Sequence, residues 1–235
     1  MKYVVLAILW LATSGAHGQE DPFLGDKPEE TAVQEDDTFK VFPDPAGKEY
    51  FPKDRASYYT RYLSAMKEPS VKAPLAEGVA GVFRFTYLRS FHDPLVVRIV
   101  DKGEDLTMTA IRLKMDREYR PVKIIHDETW NLDPESTKTV RGLLTQKDFL
   151  KPLNGTEEAL ASGGLDGSRW IFELHDKDGY RMLDIWSPDA LAMPEEELKQ
   201  AGLDSKKIRD FLIYKKTGNQ VLEIGKILPK PEERY

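Results

Sequence analysis

The chain has 235 residues, 34 basic and 40 acidic, for a net charge of −6, and it has no cysteine. The acidic balance argues against nucleic acid and against anionic lipid surfaces as partners, since both need a basic face. Without cysteine there is no disulfide, no thiolate metal site and no lipid-bearing N-terminal cysteine.

Residues 1–18 have the order of an export signal. Lys2 is followed by the apolar run Tyr3 to Ala12, then by Thr13-Ser14-Gly15, and Ala16-His17-Gly18 sets small residues before a cut ahead of Gln19. Ten apolar residues make a helix about 15 Å long, too short for a bilayer core of about 30 Å. This spacing predicts cleavage, and no later stretch predicts a membrane span. Cleavage removes one charge, Lys2, leaving 33 basic against 40 acidic residues, a net of −7. The expected location is the periplasm or the outside of the cell.

Residues 19–53 read as an acidic, proline-containing tether. They hold Pro22, Pro28, Pro43, Pro45 and Pro52 and the run Glu35-Asp36-Asp37, with too little apolar surface to offset the entropy of ordering. Phe39, Val41 and Phe42 could dock locally as an extended strip. A single domain is expected over residues 54–228, with a polar tail at 229–235.

Asp54 is a good N-cap for a helix in which Tyr58, Tyr59, Tyr62, Leu63 and Met66 recur at helical spacing, closed by Pro69. The stripe predicts a packing face. Residues 80–89, 95–101 and 105–115 then read as three strands with short gaps, an antiparallel meander. Residues 121–130 and 136–143 are weaker strand candidates. Thr145-Gln146-Lys147-Asp148 opens a short helix, and Asn154-Gly155-Thr156 is a glycosylation sequon whose use depends on the host. Residues 168–187 form the clearest hairpin, turning at Asp176-Lys177-Asp178-Gly179. Helices near 194–201 and 204–216 and a strand-like Gln220 to Leu228 complete the chain. The fold class expected is α+β: an antiparallel meander sheet with helices on one side or at its ends.

The hairpin carries the candidate site. Period two puts Ile171, Glu173, His175, Tyr180, Met182, Asp184 and Trp186 on one face, and Trp170, Phe172, Leu174, Arg181, Leu183 and Ile185 on the other. The second set predicts the core side. A two-residue loop at Asp178-Gly179 would set Glu173 opposite Asp184, about 5 Å away. A four-residue loop would pair His175 with Tyr180 and leave the two acids diagonal, about 7–8 Å apart. Two carboxylates that close can split their proton affinities and act as acid and base, so Glu173 and Asp184 are the catalytic candidates for a hydrolase. His175, Tyr180 and Trp186 would form the ligand face. The alternative is that both acids pair with arginines of neighbouring strands, such as Arg84 or Arg98.

His92, His126 and His175 have no metal-pair spacing, so no metal or other cofactor is expected. Asp176-Lys177-Asp178-Gly179 fails the calcium-loop pattern at Leu174 and Ile185. Ser64-Ala65-Met66-Lys67 and Lys216-Thr217-Gly218 have the forms of the penicillin-recognising serine enzymes. The middle motif of those enzymes is missing, and Lys216-Thr217-Gly218 follows a predicted helix rather than opening a strand.

Phe83-Arg84-Phe85-Thr86-Tyr87-Leu88-Arg89-Ser90-Phe91-His92-Asp93-Pro94, with Val97-Arg98-Ile99, is similar to the start of a group of exported bacterial proteins with no assigned activity. Gly164 to Glu173, with Gly179-Tyr180 and Trp186-Ser187-Pro188, resembles the same group. The resemblance spans about Gly81 to Pro188 and implies export and a bacterial source. Arg181 stands where that group often has histidine, which weakens a histidine mechanism there. Two functions follow as expectations: an exported protein that binds an envelope protein or a small polar ligand without catalysis, and a hydrolase using Glu173 and Asp184.

Overall fold

The computed structural model describes residues 53–145, 150, 167–186, 195–200 and 205–230. The export signal, residues 19–52 of the tether, Gln146 to Asp148, the Asn154 sequon and residues 231–235 of the tail lie outside them.

The order is α1 (Lys53–Ala65), β1 (Gly81–Arg89), β2 (Leu95–Asp101), β3 (Leu106–Met115), β4 (Pro121–Asn131), α2 (Pro134–Leu144), β5 (Ser168–Asp176), β6 (Gly179–Trp186), α3 (Glu195–Gln200) and α4 (Ser205–Ile224). Six strands form one antiparallel sheet in the order β4-β3-β2-β1-β5-β6. The predicted meander is β1 to β3, extended by β4. The hairpin β5–β6 joins it on the far side of β1. The class is α+β, and the described region is a single domain.

Helices lie on both faces of the sheet, not on one. Phe83, Phe85, Tyr87, Val97, Met108, Trp170, Phe172 and Ile185 form one core with Val140 and Leu143 of α2 and Tyr214, Val221 and Leu222 of α4. On the other face Val96, Ile111, Leu113, Ile171 and Met182 pack beneath Tyr59, Tyr62, Leu63 and Met66 of α1. The tyrosine stripe is therefore a packing face, and what it covers is the candidate ligand side of the hairpin.

Two predicted strands are helices. Residues 136–143 look strand-like because Thr137, Thr139 and Val140 are β-branched. Asp133 overrides this: its carboxylate accepts from the amides of Glu135 and Ser136, both at 2.9 Å, and Pro134 opens the helix. These bonds, the Ser136 amide first, hold the Asp133 carboxyl below its ordinary range. Thr145 is the C-cap of α2, and the short helix expected to open there falls on residues outside those described. Gln220 to Leu228 is also no strand, because α4 runs to Ile224 with Val221 and Leu222 buried against the sheet.

α1 and α4 end alike. The Lys67 amide bonds Ser64 O at 2.9 Å and the Glu68 amide bonds Leu63 O at 3.0 Å. The Lys226 amide bonds Glu223 O at 3.0 Å and the Ile227 amide bonds Leu222 O at 3.1 Å. Both are Schellman closures, and each puts a lysine in the left-handed position where glycine is usual, at φ 58° for Lys67 and 56° for Lys226. Lys67 is exposed. Lys67→Gly is therefore expected to stabilise the fold by about 0.5–1 kcal/mol, the strain relieved less the extra freedom of the unfolded chain. A urea midpoint that fails to rise would contradict this.

Candidate functional site

The hairpin adopts the register in which His175 pairs with Tyr180 and Asp176 with Gly179, so Glu173 opposes Met182 and Asp184 opposes Ile171. Lys177 and Asp178 form the turn, and Gly179 closes it at φ 93°, a conformation that favours glycine. Glu173 and Asp184 are thus diagonal on one face, as the four-residue loop predicted.

That face is covered. Glu173 is 2% exposed and Asp184 5%. Arg84 lies directly across from Glu173 on β1, and its Nε donates to Glu173 Oε2 at 2.6 Å. The Tyr180 hydroxyl donates to Glu173 Oε1 at 2.9 Å. Asp184 accepts from the Tyr59 hydroxyl of α1 at 2.9 Å and from Arg169 Nη1 at 3.2 Å. Each acid has its own cation and its own tyrosine.

Glu68 completes the first pair. The Schellman turn at Lys67 drives this fully buried carboxylate down onto the sheet, where Arg98 Nε reaches it at 3.2 Å and Arg84 Nη1 lies 3.6 Å away. Arg84 Nη1 also donates to Pro69 O at 2.7 Å. Arg84 and Arg98 oppose each other across β1 and β2, a pairing that repels unless acids flank it. Glu68 and Glu173 flank it. Burial disfavours the Arg84 cation, but Glu173 and then Glu68 outweigh it and hold its pKa above the ordinary value. Arg84 stays charged throughout the working pH range.

The other ligand-face candidates belong to the same covering. His175 Nδ1 lies 2.8 Å from Val71 O, and Lys72 Nζ sits 4.9 Å over the Tyr180 ring. Residues 69–72 therefore lie across the hairpin. Trp186 ends β6, and its side chain lies outside what the structure describes. Lys216, Thr217 and Gly218 are mid-helix in α4, not at a strand edge. Among the described residues no group of three or more His, Asp or Glu could hold a metal ion.

The exposed chemistry lies elsewhere. The turn at residues 90–94 and the β3–β4 turn at 116–120 sit side by side. Asp93 clamps them: its carboxylate accepts from the Met115 amide at 3.0 Å and from Lys114 Nζ at 3.4 Å, while its carbonyl accepts from Arg89 Nε at 3.2 Å. Asp116 builds the second turn by accepting from the amides of Arg120 at 2.9 Å and Glu118 at 2.8 Å. These bonds, Arg120 first, hold the Asp116 carboxyl below its ordinary range. On this scaffold Phe91, 50% exposed, meets Tyr119, 45% exposed, edge to face with ring centroids 5.8 Å apart. Val122 and Ile125 are exposed on the adjoining start of β4. The available signal was Phe91 inside an otherwise polar turn.

No family model matches the chain, and no curated protein or solved structure matches it either.

Proposed function

We propose that this is an exported protein that acts by binding, and that its binding surface is the end of the sheet carrying Phe91 and Tyr119. The observation that supports this is the pairing of two half-exposed aromatic rings on turns whose Asp93 and Asp116 carboxylates accept from the amides of Met115 and Arg120. Single exposed apolar side chains are ordinary, but aromatic residues gathered on a braced turn suit contact with a partner. Export rests on the order of residues 1–18 and on the resemblance of the central stretches to exported bacterial proteins. The hydrolase reading is weaker, because Glu173 and Asp184 could meet substrate only if α1 and residues 69–72 left the sheet.

Two measurements test the proposal. Expressed in a bacterial host, the chain is expected in the exported fraction with Gln19 as its first residue; an intact Met1 start in the cytoplasm would remove the export reading. A photoreactive residue at position 91 should give adducts with an envelope component, and the same residue at exposed Leu212 should not. Equal labelling at both positions would remove the surface.

A further inference from the structure

We infer that the Phe91/Tyr119 end docks on an anionic lipid surface. This rests on the proposed binding surface and names its partner. Three observations converge.

The first is conformational. Tyr119 stands at φ 58°, the left-handed region, where an L-residue with a bulky side chain is strained and asparagine or glycine would not be. The turn holds it there: the Tyr119 amide donates to Asp116 O at 3.1 Å, and the Tyr62 hydroxyl reaches Tyr119 O at 3.4 Å. A strained aromatic residue whose ring is half exposed contributes little to the core. Lys67 and Lys226 take the same φ to close helix ends, whereas Tyr119 ends no helix and sets its half-exposed ring against Phe91.

The second is charge. The whole chain is acidic, yet Arg112 to Lys123 holds five cations (Arg112, Lys114, Arg117, Arg120, Lys123) and two acids (Asp116, Glu118), a local net of +3. Arg120 pairs with Asp116 and Glu118, and Arg112 and Lys114 pair with Asp93. Arg117 and Lys123 are exposed, and neither has an ion-pair partner among the described residues. The acidic total misleads about this end, because screening limits each charge to its own neighbourhood of about 8–10 Å.

The third is extent. The apolar part of this end is small: among the described residues it consists of Phe91, Tyr119, Val122 and Ile125, each about half exposed. Interfacial binding needs little: a few aromatic side chains at headgroup level and some cations facing anionic lipid. The chain has no cysteine for a lipid anchor, and no described helix is long and apolar enough to span. Contact of this kind is reversible and depends on salt.

The exported chain is floated with phosphatidylglycerol vesicles and, separately, with phosphatidylcholine vesicles. Binding to the first only, weakening as salt rises, is expected. Arg117→Gln and Lys123→Gln should each weaken it about fivefold, the effect of one cation near an anionic surface. Tyr119→Asn should weaken binding while its melting temperature stays at or above that of the parent, because asparagine accepts the left-handed turn. That combination separates lost contact from lost fold. Equal binding to both vesicles, or binding unchanged in all three variants, overturns the inference. If phosphatidylglycerol is not bound but the adducts at position 91 persist, the lipid partner falls and the binding surface stands. If both fail, both readings fall. Concentration-dependent dimers abolished by Tyr119→Asn would put a second copy in the place of lipid and would also overturn it.

Discussion

Gly218→Ala is expected to destabilise the fold by about 3 kcal/mol, although alanine is the better helix former by about 1 kcal/mol. Gly218 lies inside the C-terminal helix, where the backbone rests on the sheet. A Cβ there would come 2.2 Å from Trp170 Cζ3 and 3.0 Å from Phe85 Cζ. Neither ring can yield. Trp170 and Phe85 are fully buried, and Trp170 stands edge-on to Phe85 and to Tyr87, both at 5.1 Å between centroids. The helix must lift, and that loosens Tyr214, Val221 and Leu222 from the same core. Urea denaturation checks this. A midpoint equal to the parent's would mean that the helix shifts without cost, against the close packing of interiors.

Glu173→Gln is the second large effect, with an expected loss of about 3 kcal/mol. The amide leaves the buried guanidinium of Arg84 with Glu68 alone, 3.6 Å away, and weakens the acceptor of the 2.6 Å bond. The expected signature is lower thermal stability, which an exposed catalytic acid would not show. Replacing both partners, Arg84→Met with Glu173→Leu, should cost less than the single change, because no charge is then stranded between the sheet and α1. Losses that merely add in the double variant would show that the pair is not coupled. Arg84 is held above its ordinary pKa, so the stability it contributes while its acids are ionised is lost only as pH rises through the raised value, beyond mildly alkaline pH.

The hairpin shows how far local reasoning reaches. Period two places Glu173 and Asp184 on one face, and the structure has them there, diagonal, in one of the two registers that the turn residues allow. What lies over that face depends on Tyr59, which is 125 residues from its partner Asp184. No local pattern carries that information. One signal did point to it: Leu95-Val96-Val97-Arg98-Ile99-Val100 is a nearly continuous apolar run rather than an alternation, as in a strand buried on both sides. The same limit explains the two strand-like segments that form helices. β-branched composition is a weak preference, and the Asp133 cap and burial of Val140, Val221 and Leu222 outweigh it.

By itself the sequence determined what depends on neighbours in the chain: the antiparallel strands and their turns, the tyrosine stripe of α1, the shared face of the two acids, and the order of residues 1–18. Only the tertiary structure decided which faces are wet. It buried Glu173 and Asp184 among arginines and tyrosines. It left Phe91, Tyr119, Arg117 and Lys123 exposed at the end of the sheet formed by the 90–94 and 116–120 turns and the start of β4. The physical reason is that burial and pairing are set by contacts between residues far apart in the chain, whereas capping, turn formation and side-chain alternation are set within a few residues.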